Sequence, residues 1–350
     1  MKLRRLIVAV LVVAIAVACA PAKTTAGPVT ITLLTHDSFV MPKELLANFT
    51  KETGIKIDVV LAGDAGTMVS GAVLAAGNPT ADVMFGIDNT LMPNALRGEG
   101  IFISYVSPLL DQVRSDLLQW TDGNFVTPID FGDVCVNVDT AWFAKNGLPA
   151  PTSIEALTDT AYKNLLVVED PATSSPGMAF LLAVYARLGS SSTSYWQGLK
   201  ANGVKVAGSW SDAYFNEFSA GGGKGTRPLV VSYATSPVAE YVYAAEPKPS
   251  SVSTSVVTEG CFRQIEYAGI LRGTQHEAEA QRVIDWMLSP AFQNEVAINM
   301  FVYPALAIAT VPTEFENFAG RVDRPGSLST DVLKSIQPQL LQDWNQVMDN

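Results

Sequence analysis

Apolar runs and amphipathic stretches alternate along the first part of the chain. Residues 29–34 (VTITLL), 55–61 (IKIDVVL) and 81–87 (ADVMFGI) are β-branched and apolar, which is typical of buried strands. Residues 42–53 and 67–76 lie between these runs and carry apolar side chains at helical spacing. This alternation predicts an α/β fold with a mostly parallel sheet flanked by helices.

A long extended stretch, residues 125–139 (FVTPIDFGDVCVNVD), interrupts this pattern without a helix between its apolar pieces. Such a strand is how a chain crosses between two lobes, and 350 residues are enough for two domains. We expect lobe 1 at 29–130 plus about 261–312, lobe 2 at 131–260, and a C-terminal helical segment at 313–350. Further strands are predicted at 165–168, 204–206, 229–233 and 261–270, and further helices at 153–157, 178–188, 276–288 and 328–348.

Residues 1–18 have the composition of an export signal. Three basic residues precede a short apolar stretch, and small residues precede Cys19. The segment resembles a bacterial lipoprotein signal, although Ala16 stands where leucine is usual, and Cys19 would become the lipidated N-terminus. An ordinary secretory signal cut nearby is the alternative, and both signals export the protein. Residues 19–28 are expected to form a flexible tether.

The chain is acidic, with a formal net charge of −11, and cleavage of the signal would remove three basic residues. This balance argues against nucleic acid as a partner and against a second, polybasic contact with the membrane. It fits a small cationic ligand. No apolar run after the signal is long enough to span a bilayer, so we expect an exported monomer that reaches the membrane only through its lipid anchor.

Two cysteines remain if Cys19 is lipidated. Cys135 and Cys261 both lie in strand-like segments, and an oxidising compartment favours a disulfide between them, with two buried thiols as the alternative. Zinc is not expected, since the chain has no CxxC motif and only His36 and His276 as histidines.

Acidic residues follow the first three predicted strands. Asp37, Asp64 and Asp88 each lie just after a strand, and Asp130 lies at the bend of the long extended stretch. Each of the first three could simply cap the next helix. Because the carboxyl ends of parallel strands share one edge of a sheet, their positions also predict a common ligand site there.

A loop rich in hydroxyl groups, residues 169–177 (EDPATSSPG), leads into the predicted helix at 178–188. Free backbone amides at a helix start attract anions or polar groups, so Thr173, Ser174 and Ser175 are candidate ligand contacts. Ordinary helix capping by these side chains is the alternative.

Two clusters of aromatic and polar residues, 210–214 and 233–237, are joined by a glycine-rich turn. Trp210, Tyr214 and Tyr233 could form an electron-rich cage around a planar or cationic ligand. The alternative is that these rings belong to the hydrophobic core.

Several of these segments resemble motifs of thiamine-binding proteins, which are substrate-binding proteins of ABC importers with the type II periplasmic-binding fold. The resemblance runs from about residue 29 to 315 in the family's order. The matching segments are HDSF at 36–39, ADVMFGIDN at 81–89, EDPATSSPG at 169–177, WSDAY at 210–214, SYATSP at 232–237 and LSPAFQ at 288–293.

The resemblance implies a two-lobe protein that clamps thiamine or its phosphates, with a hinge near Asp130 and Cys261. It implies an importer permease and its ATPase as partners, and it implies no cofactor. His36 stands where the family has tyrosine, so a group that contacts the ligand has changed. The implied ring contacts are Trp210, Tyr214 and Tyr233, the hydroxyl donors Thr173, Ser174 and Ser175, and the acidic partners Asp37 and Asp64; His36, Ser38, Asp88, Asp130 and Ser236 complete the predicted site.

Other functions fit the sequence less well. Ferric-ion binders of this fold carry adjacent tyrosines late in the chain, whereas Tyr233 is followed by Ala234 and a valine separates Tyr241 from Tyr243. A polyamine or phosphonate binder stays a further alternative. A secreted hydrolase would be a different class, but the chain has neither GxSxG nor HExxH, so we do not expect an enzyme.

Overall fold

The computed structural model describes residues 28–348, and ten strands in this part of the chain form one mixed sheet. The predicted signal, Cys19 and most of the tether lie outside the described residues. The strands are β1 (Val29–Thr35), β2 (Ile55–Leu61), β3 (Val83–Asp88), β4 (Phe102–Ile103), β5 (Thr127–Asp139), β6 (Leu166–Glu169), β7 (Lys205–Ala207), β8 (Leu229–Tyr233), β9 (Thr254–Leu271) and β10 (Tyr303–Pro304).

Helices cover both faces of this sheet, and a π-helical turn at Ala213–Glu217 continues one of them. The predicted helix at 153–157 is wrong in type, since the chain forms only a 3₁₀ turn at Glu155–Thr158. The α-helices are α1 (Lys43–Thr53), α2 (Ala65–Leu74), α3 (Met92–Ala95), α4 (Thr140–Asn146), α5 (Ser175–Leu188), α6 (Ser192–Ala201), α7 (Trp210–Asp212), α8 (Ser236–Tyr243), α9 (Glu277–Met287), α10 (Pro290–Met300), α11 (Thr313–Phe318) and α12 (Thr330–Met348).

The sheet contains two groups of parallel strands. β1 pairs in parallel with β2 and β3, and β6 pairs in parallel with β7 and β8. Between the groups run the long strands β5 and β9, which are antiparallel to each other and to their outer neighbours β8 and β3. The predicted α/β fold with two parallel units flanked by helices is confirmed.

Strands β5 and β9 belong to both groups. Their mutual register shifts between Val134 and Val136, and beside this shift a disulfide joins Cys135 to Cys261 with the Cα atoms 4.4 Å apart. β9 starts at Thr254, earlier than the predicted strand at 261–270. The predicted lobe boundaries therefore fall inside the two strands that both groups share.

The C-terminal helices pack on both groups. α12 contacts α6 and α3, while α11 packs on α8. Apolar side chains of α12, among them Leu333, Leu340 and Trp344, are buried in these contacts. Between residues 28 and 348, no helix combines the length and the apolar character that crossing a membrane requires.

Candidate functional site

A cavity of about 660 Å³ lies between the two parallel groups, where the strands of both groups end. Residues after β1 and β2 line it on one side, and residues after β6, β7 and β8 line it on the other. This is the sheet edge at which open α/β proteins bind ligands. The predicted site residues that line the cavity are His36, Asp37, Ser38, Asp64, Ser175, Trp210, Tyr214, Tyr233 and Ser236.

The aromatic wall of the cavity is built around Trp210. The indole ring stacks on Tyr214 at 5.1 Å between centroids, and Tyr233 meets it edge-on at 6.5 Å. The Trp210 Nε1–H donates to Ser232 Oγ at 2.8 Å, which fixes the ring plane. Tyr233 donates its hydroxyl to Gln264 at 2.6 Å.

The three rings are not equally open to a ligand. Trp210 and Tyr233 are partly exposed, whereas Tyr214 is only 4% exposed and its pKa is raised by burial. Tyr214 therefore supports Trp210 from behind and presents little ring surface of its own. The core interpretation therefore describes Tyr214, and the cage interpretation of Trp210 and Tyr233 stays a prediction.

Asp64 is an acidic residue of the cavity whose carboxylate is held by three backbone amides. One carboxylate oxygen accepts from Ala65 N at 2.7 Å and from Ser175 N at 3.3 Å, and the other accepts from Trp210 N at 2.8 Å. These amides belong to the starts of α2, α5 and α7. Burial raises the pKa of Asp64, while the amides and the Ser174 hydroxyl oppose that rise.

The two groups also touch directly beside Asp64. The amide of Thr67 in α2 donates to the carbonyl of Thr173 at 3.1 Å, and a Cβ at Gly66 would lie 2.5 Å from the Thr173 carbonyl carbon. Glycine is therefore required at position 66 for this contact. α2 and the loop before α5 close the cavity on that side.

Two predicted hydroxyl donors do not line the cavity. Thr173 donates its hydroxyl to the carbonyl of Gly208 at 2.8 Å, so it braces the loop. Ser174 is fully buried beside Asp64. Of the three adjacent hydroxyl residues, only Ser175 reaches the cavity surface.

Asp88 also lies outside the cavity lining. Its carboxylate accepts from the amides of Thr90 and Leu91 and from the side chain of Gln264, so it caps the turn after β3. Burial raises the pKa of Asp88 to about 7, against these hydrogen bonds. The capping alternative from the sequence describes this residue.

A buried cluster of three titratable groups lies at the inner end of the cavity. His36 Nε2 is 3.6 Å from Glu266 Oε1, and Asp130 lies beside Glu266, behind the cavity surface. Among the described residues, no hydrogen-bond partner reaches either carboxyl oxygen of Asp130. Asp130, which was predicted to contact the ligand, is fully buried and is not among the residues that line the cavity.

His36, Glu266 and Asp130 favour different protonation states. Burial and the nearby Glu266 raise the pKa of Asp130 well above its ordinary value, which favours the protonated carboxyl. Burial opposes charge on Glu266 and His36 too, but each lies beside the other: the pKa of Glu266 is lowered and that of His36 is raised. The arrangement favours an ion pair between His36 and Glu266 next to a neutral Asp130.

Glu266→Gln is expected to lower the pKa of His36, because the imidazolium loses its counter-ion and keeps its burial penalty. In the unchanged protein the pair stabilises the fold most between pH 4.5 and 6.5, the ordinary pKa values of Glu266 and His36. This contribution is lost as the pH rises through the raised pKa of His36 or falls through the lowered pKa of Glu266. NMR titration of the imidazole protons measures the shift. Since the chain has only two histidines, His276→Gln assigns the signal. An unchanged His36 pKa in Glu266→Gln would contradict the ion pair.

Gly86 leaves room for His36. Its φ is +92°, and an added Cβ would lie 2.2 Å from His36 Cδ2. Gly86→Ala is therefore expected to lower the free energy of unfolding by about 2–4 kcal/mol, from backbone strain and overpacking together. Gly54→Ala is the matched control, since Gly54 has φ +71° with nothing within 4 Å, and should cost only about 1–2 kcal/mol. If urea denaturation gives the same loss of unfolding free energy for Gly86→Ala and Gly54→Ala, His36 does not need the space beside Gly86.

Several cavity residues were not predicted. Glu266 is a carboxylate inside the strand-like segment CFRQIEYAGI. A charged residue in a strand that is otherwise expected to be buried could have indicated a functional position. Glu240 binds the amides and hydroxyls of Ser253 and Thr254, a long-range contact without a local motif. The rim is also lined by Val40, Phe215, Tyr243, Asn299, Met300, Phe301 and Val302.

Comparison with known proteins identifies the family. The family described as bacterial extracellular solute-binding protein matches residues 78–319. This chain belongs to that family. It is 29% identical over 293 residues to the thiamine-binding periplasmic protein of Salmonella typhimurium, covering 83% of this chain and 84% of the relative. The predicted family resemblance is confirmed.

Solved structures agree with this assignment. A periplasmic thiamin binding protein superposes on this solute-binding protein with a TM-score of 0.76 at 25% identity, covering 92% of this chain and 96% of that one. Iron-bound HitA from Pseudomonas aeruginosa has a TM-score of 0.71 at 17% identity, covering 92% and 100%, and shows the shared fold alone. Within residues 28–348, no group of three or more His, Cys, Asp or Glu side chains could hold a metal ion.

Proposed function

We propose that this extracellular solute-binding protein captures thiamine in the cavity and delivers it to the permease and ATPase of an ABC importer. The observation that carries the proposal is the pairing of a partly exposed aromatic wall, Trp210 and Tyr233, with acidic side chains across one cavity. The relatives known as thiamine-binding proteins support thiamine as the ligand.

Thiamine matches this chemistry because it carries a permanent positive charge in a flat thiazolium ring. A cation over an aromatic face gains roughly 0.5–2 kcal/mol, with the larger value in a desolvated site. Asp37 and Asp64, which line the same cavity, add electrostatic attraction for a cation. His36 and Glu266 present polar atoms at the inner end, where they can hydrogen-bond the aminopyrimidine ring.

The N-terminus fits delivery at the membrane. We propose cleavage after residue 18 and lipidation of Cys19, with the binding protein acting as a monomer that needs no cofactor. Cys19→Ser should abolish the incorporation of a labelled fatty acid that the unchanged protein takes up in cells. Equal labelling of the variant would contradict a lipid anchor at Cys19.

Calorimetric titration of the purified protein with thiamine tests the proposed ligand. We expect saturable heat at one ligand per chain. Ferric citrate and spermidine, titrated in parallel, represent the iron and polyamine alternatives. No heat with thiamine, or tighter binding of either competitor, would overturn the proposal.

A further inference from the structure

A buried chain of hydrogen bonds runs from the aromatic wall of the cavity into the protein interior. Tyr233 donates its hydroxyl to Gln264 Oε1 at 2.6 Å, and the side-chain amide of Gln264 donates in turn to Asp88 Oδ2. Gln264 and Asp88 are both buried, and neither lines the cavity. One ring of the cavity wall is therefore connected to groups that no ligand in the cavity touches.

This chain joins the two parallel groups of the sheet. Asp88 ends β3 in the first group, Tyr233 ends β8 in the second group, and Gln264 lies on β9, which both groups share. Tyr233 and Asp88 are 31 and 176 positions away from Gln264 along the chain. A turn of the first group thus holds a ring of the second.

Asp88 sets the direction of the hydrogen bonds in the chain. The backbone amides of Thr90 and Leu91 donate to Asp88 Oδ1 at 3.0 and 2.8 Å. An ionised carboxylate only accepts hydrogen bonds, so Gln264 must turn its NH₂ group towards Asp88 and its oxygen towards Tyr233. Tyr233 therefore donates its hydroxyl proton to Gln264, which holds the far end of the phenol ring.

Other contacts hold the rest of Tyr233. A Cβ added to Gly132 of β5 would lie 2.9 Å from Tyr233 Cδ1, so the ring packs on a backbone without a side chain. The Tyr233 amide donates to Ser236 Oγ at 3.2 Å. Together with the bond to Gln264, these contacts hold the backbone, one side of the ring and the hydroxyl.

We propose that Gln264, oriented by Asp88, is a positioning residue for thiamine binding that holds the Tyr233 ring in the cavity wall. The inference rests on the proposed function, because it concerns the affinity for thiamine. Without the bond to Gln264, the ring would be free to turn away from a bound cation, and part of the aromatic contact would be lost. A ring that is already fixed also loses less entropy when the ligand binds.

Calorimetric titration of Gln264→Met tests the positioning role. Methionine has a similar length but no amide, so the thiamine Kd should rise at least about threefold. Tyr233→Phe also breaks the chain and should raise the Kd by at least about threefold. In the Tyr233→Phe background, adding Gln264→Met should change the Kd by less than about 1.5-fold, because no hydroxyl remains to be held.

Gln293→Met is the matched control for Gln264→Met. Gln293 is a fully buried glutamine that donates to the carbonyls of Ile129 and Met287 and does not line the cavity. The control should lose stability in urea denaturation and keep its thiamine Kd. An unchanged Kd in folded Gln264→Met or in Tyr233→Phe overturns the positioning role, and so does an equal effect of Gln264→Met in both backgrounds.

NMR of protein labelled at the tyrosine Cζ atoms gives a measurement that needs no ligand. The chain has 10 tyrosines, and the signal missing from Tyr233→Phe is that of Tyr233. At about pH 8, above the pKa of about 7 for Asp88, Gln264→Met should shift this signal and Gln293→Met should not. No heat with thiamine in the unchanged protein overturns the proposed function, whereas the NMR comparison still tests the hydrogen bonds.

Asp88→Asn provides a second break if Gln264→Met does not fold. The oxygen of the new side chain can still accept from Thr90 and Leu91, but its NH₂ group then faces Gln264. Gln264 must turn its own NH₂ group towards Tyr233, which then accepts a hydrogen bond where it donated one before. The Tyr233 Cζ signal should therefore move in Asp88→Asn, and an unmoved signal overturns the orienting role of Asp88.

Discussion

Replacing Trp210 by alanine is expected to weaken thiamine binding by at least about tenfold, equivalent to about 1.4 kcal/mol. The variant loses the partly exposed face of the indole, which is the surface best placed for a cationic ring. It also leaves Ser232 without its indole donor and uncovers one face of Tyr214. Calorimetric titration of thiamine measures the loss.

Two further variants separate binding from folding. Trp210→Phe keeps an aromatic face and should retain most of the affinity, even though the hydrogen bond to Ser232 is lost. Trp142→Ala is the matched control, a partly buried tryptophan that packs on Phe143 away from the cavity, and should leave the Kd unchanged. If Trp210→Ala unfolds the protein while Trp210→Phe binds thiamine normally, Trp210 serves the core and not the ligand.

Removing the disulfide with Cys135→Ser and Cys261→Ser together should lower the free energy of unfolding by about 2–5 kcal/mol. The bond closes a loop across a sequence separation of 126 residues, so its loss frees a long segment of the unfolded chain. It also removes the covalent link between β5 and β9 beside their register shift. Urea denaturation measures the change.

Reduction of the unchanged protein supplies the control for this pair of substitutions. A reductant should destabilise the unchanged protein by nearly the same amount and should leave the double variant unaffected. Equal stability of the unchanged protein with and without reductant would mean that the thiols are not joined in solution.

The strands and most helices could be predicted because their residues carry local signals. β1, β2 and β3 are β-branched runs, and helix α1 ends at Gly54, which adopts the left-handed conformation typical of a helix terminus. The start of β9 could not be predicted, because residues 254–260 are mixed in polarity and become a strand only by pairing with β5. Pairing with a distant strand therefore determined the secondary structure of these residues, which their local composition did not indicate.

The candidate site was predictable where position along a strand fixes direction. Residues just past the strand ends, such as His36 and Asp64, line the cavity, because the carboxyl ends of parallel strands lie at one edge of a sheet. Asp88 and Asp130 do not line the cavity, because a carboxylate near that edge of the sheet can still point into the protein. Whether a side chain faces the ligand or the interior depends on contacts with β9, which the sequence does not show.

The hydrogen bonds of Asp64 bear on how fast a ligand can leave. Its carboxylate holds amides of α5 and α7 from the opposite side of the cavity, so widening the opening breaks two charge-assisted bonds at once. That step is the same whatever molecule lies inside. We therefore expect chemically different ligands to share a slow dissociation step, and their residence times to differ less than their affinities.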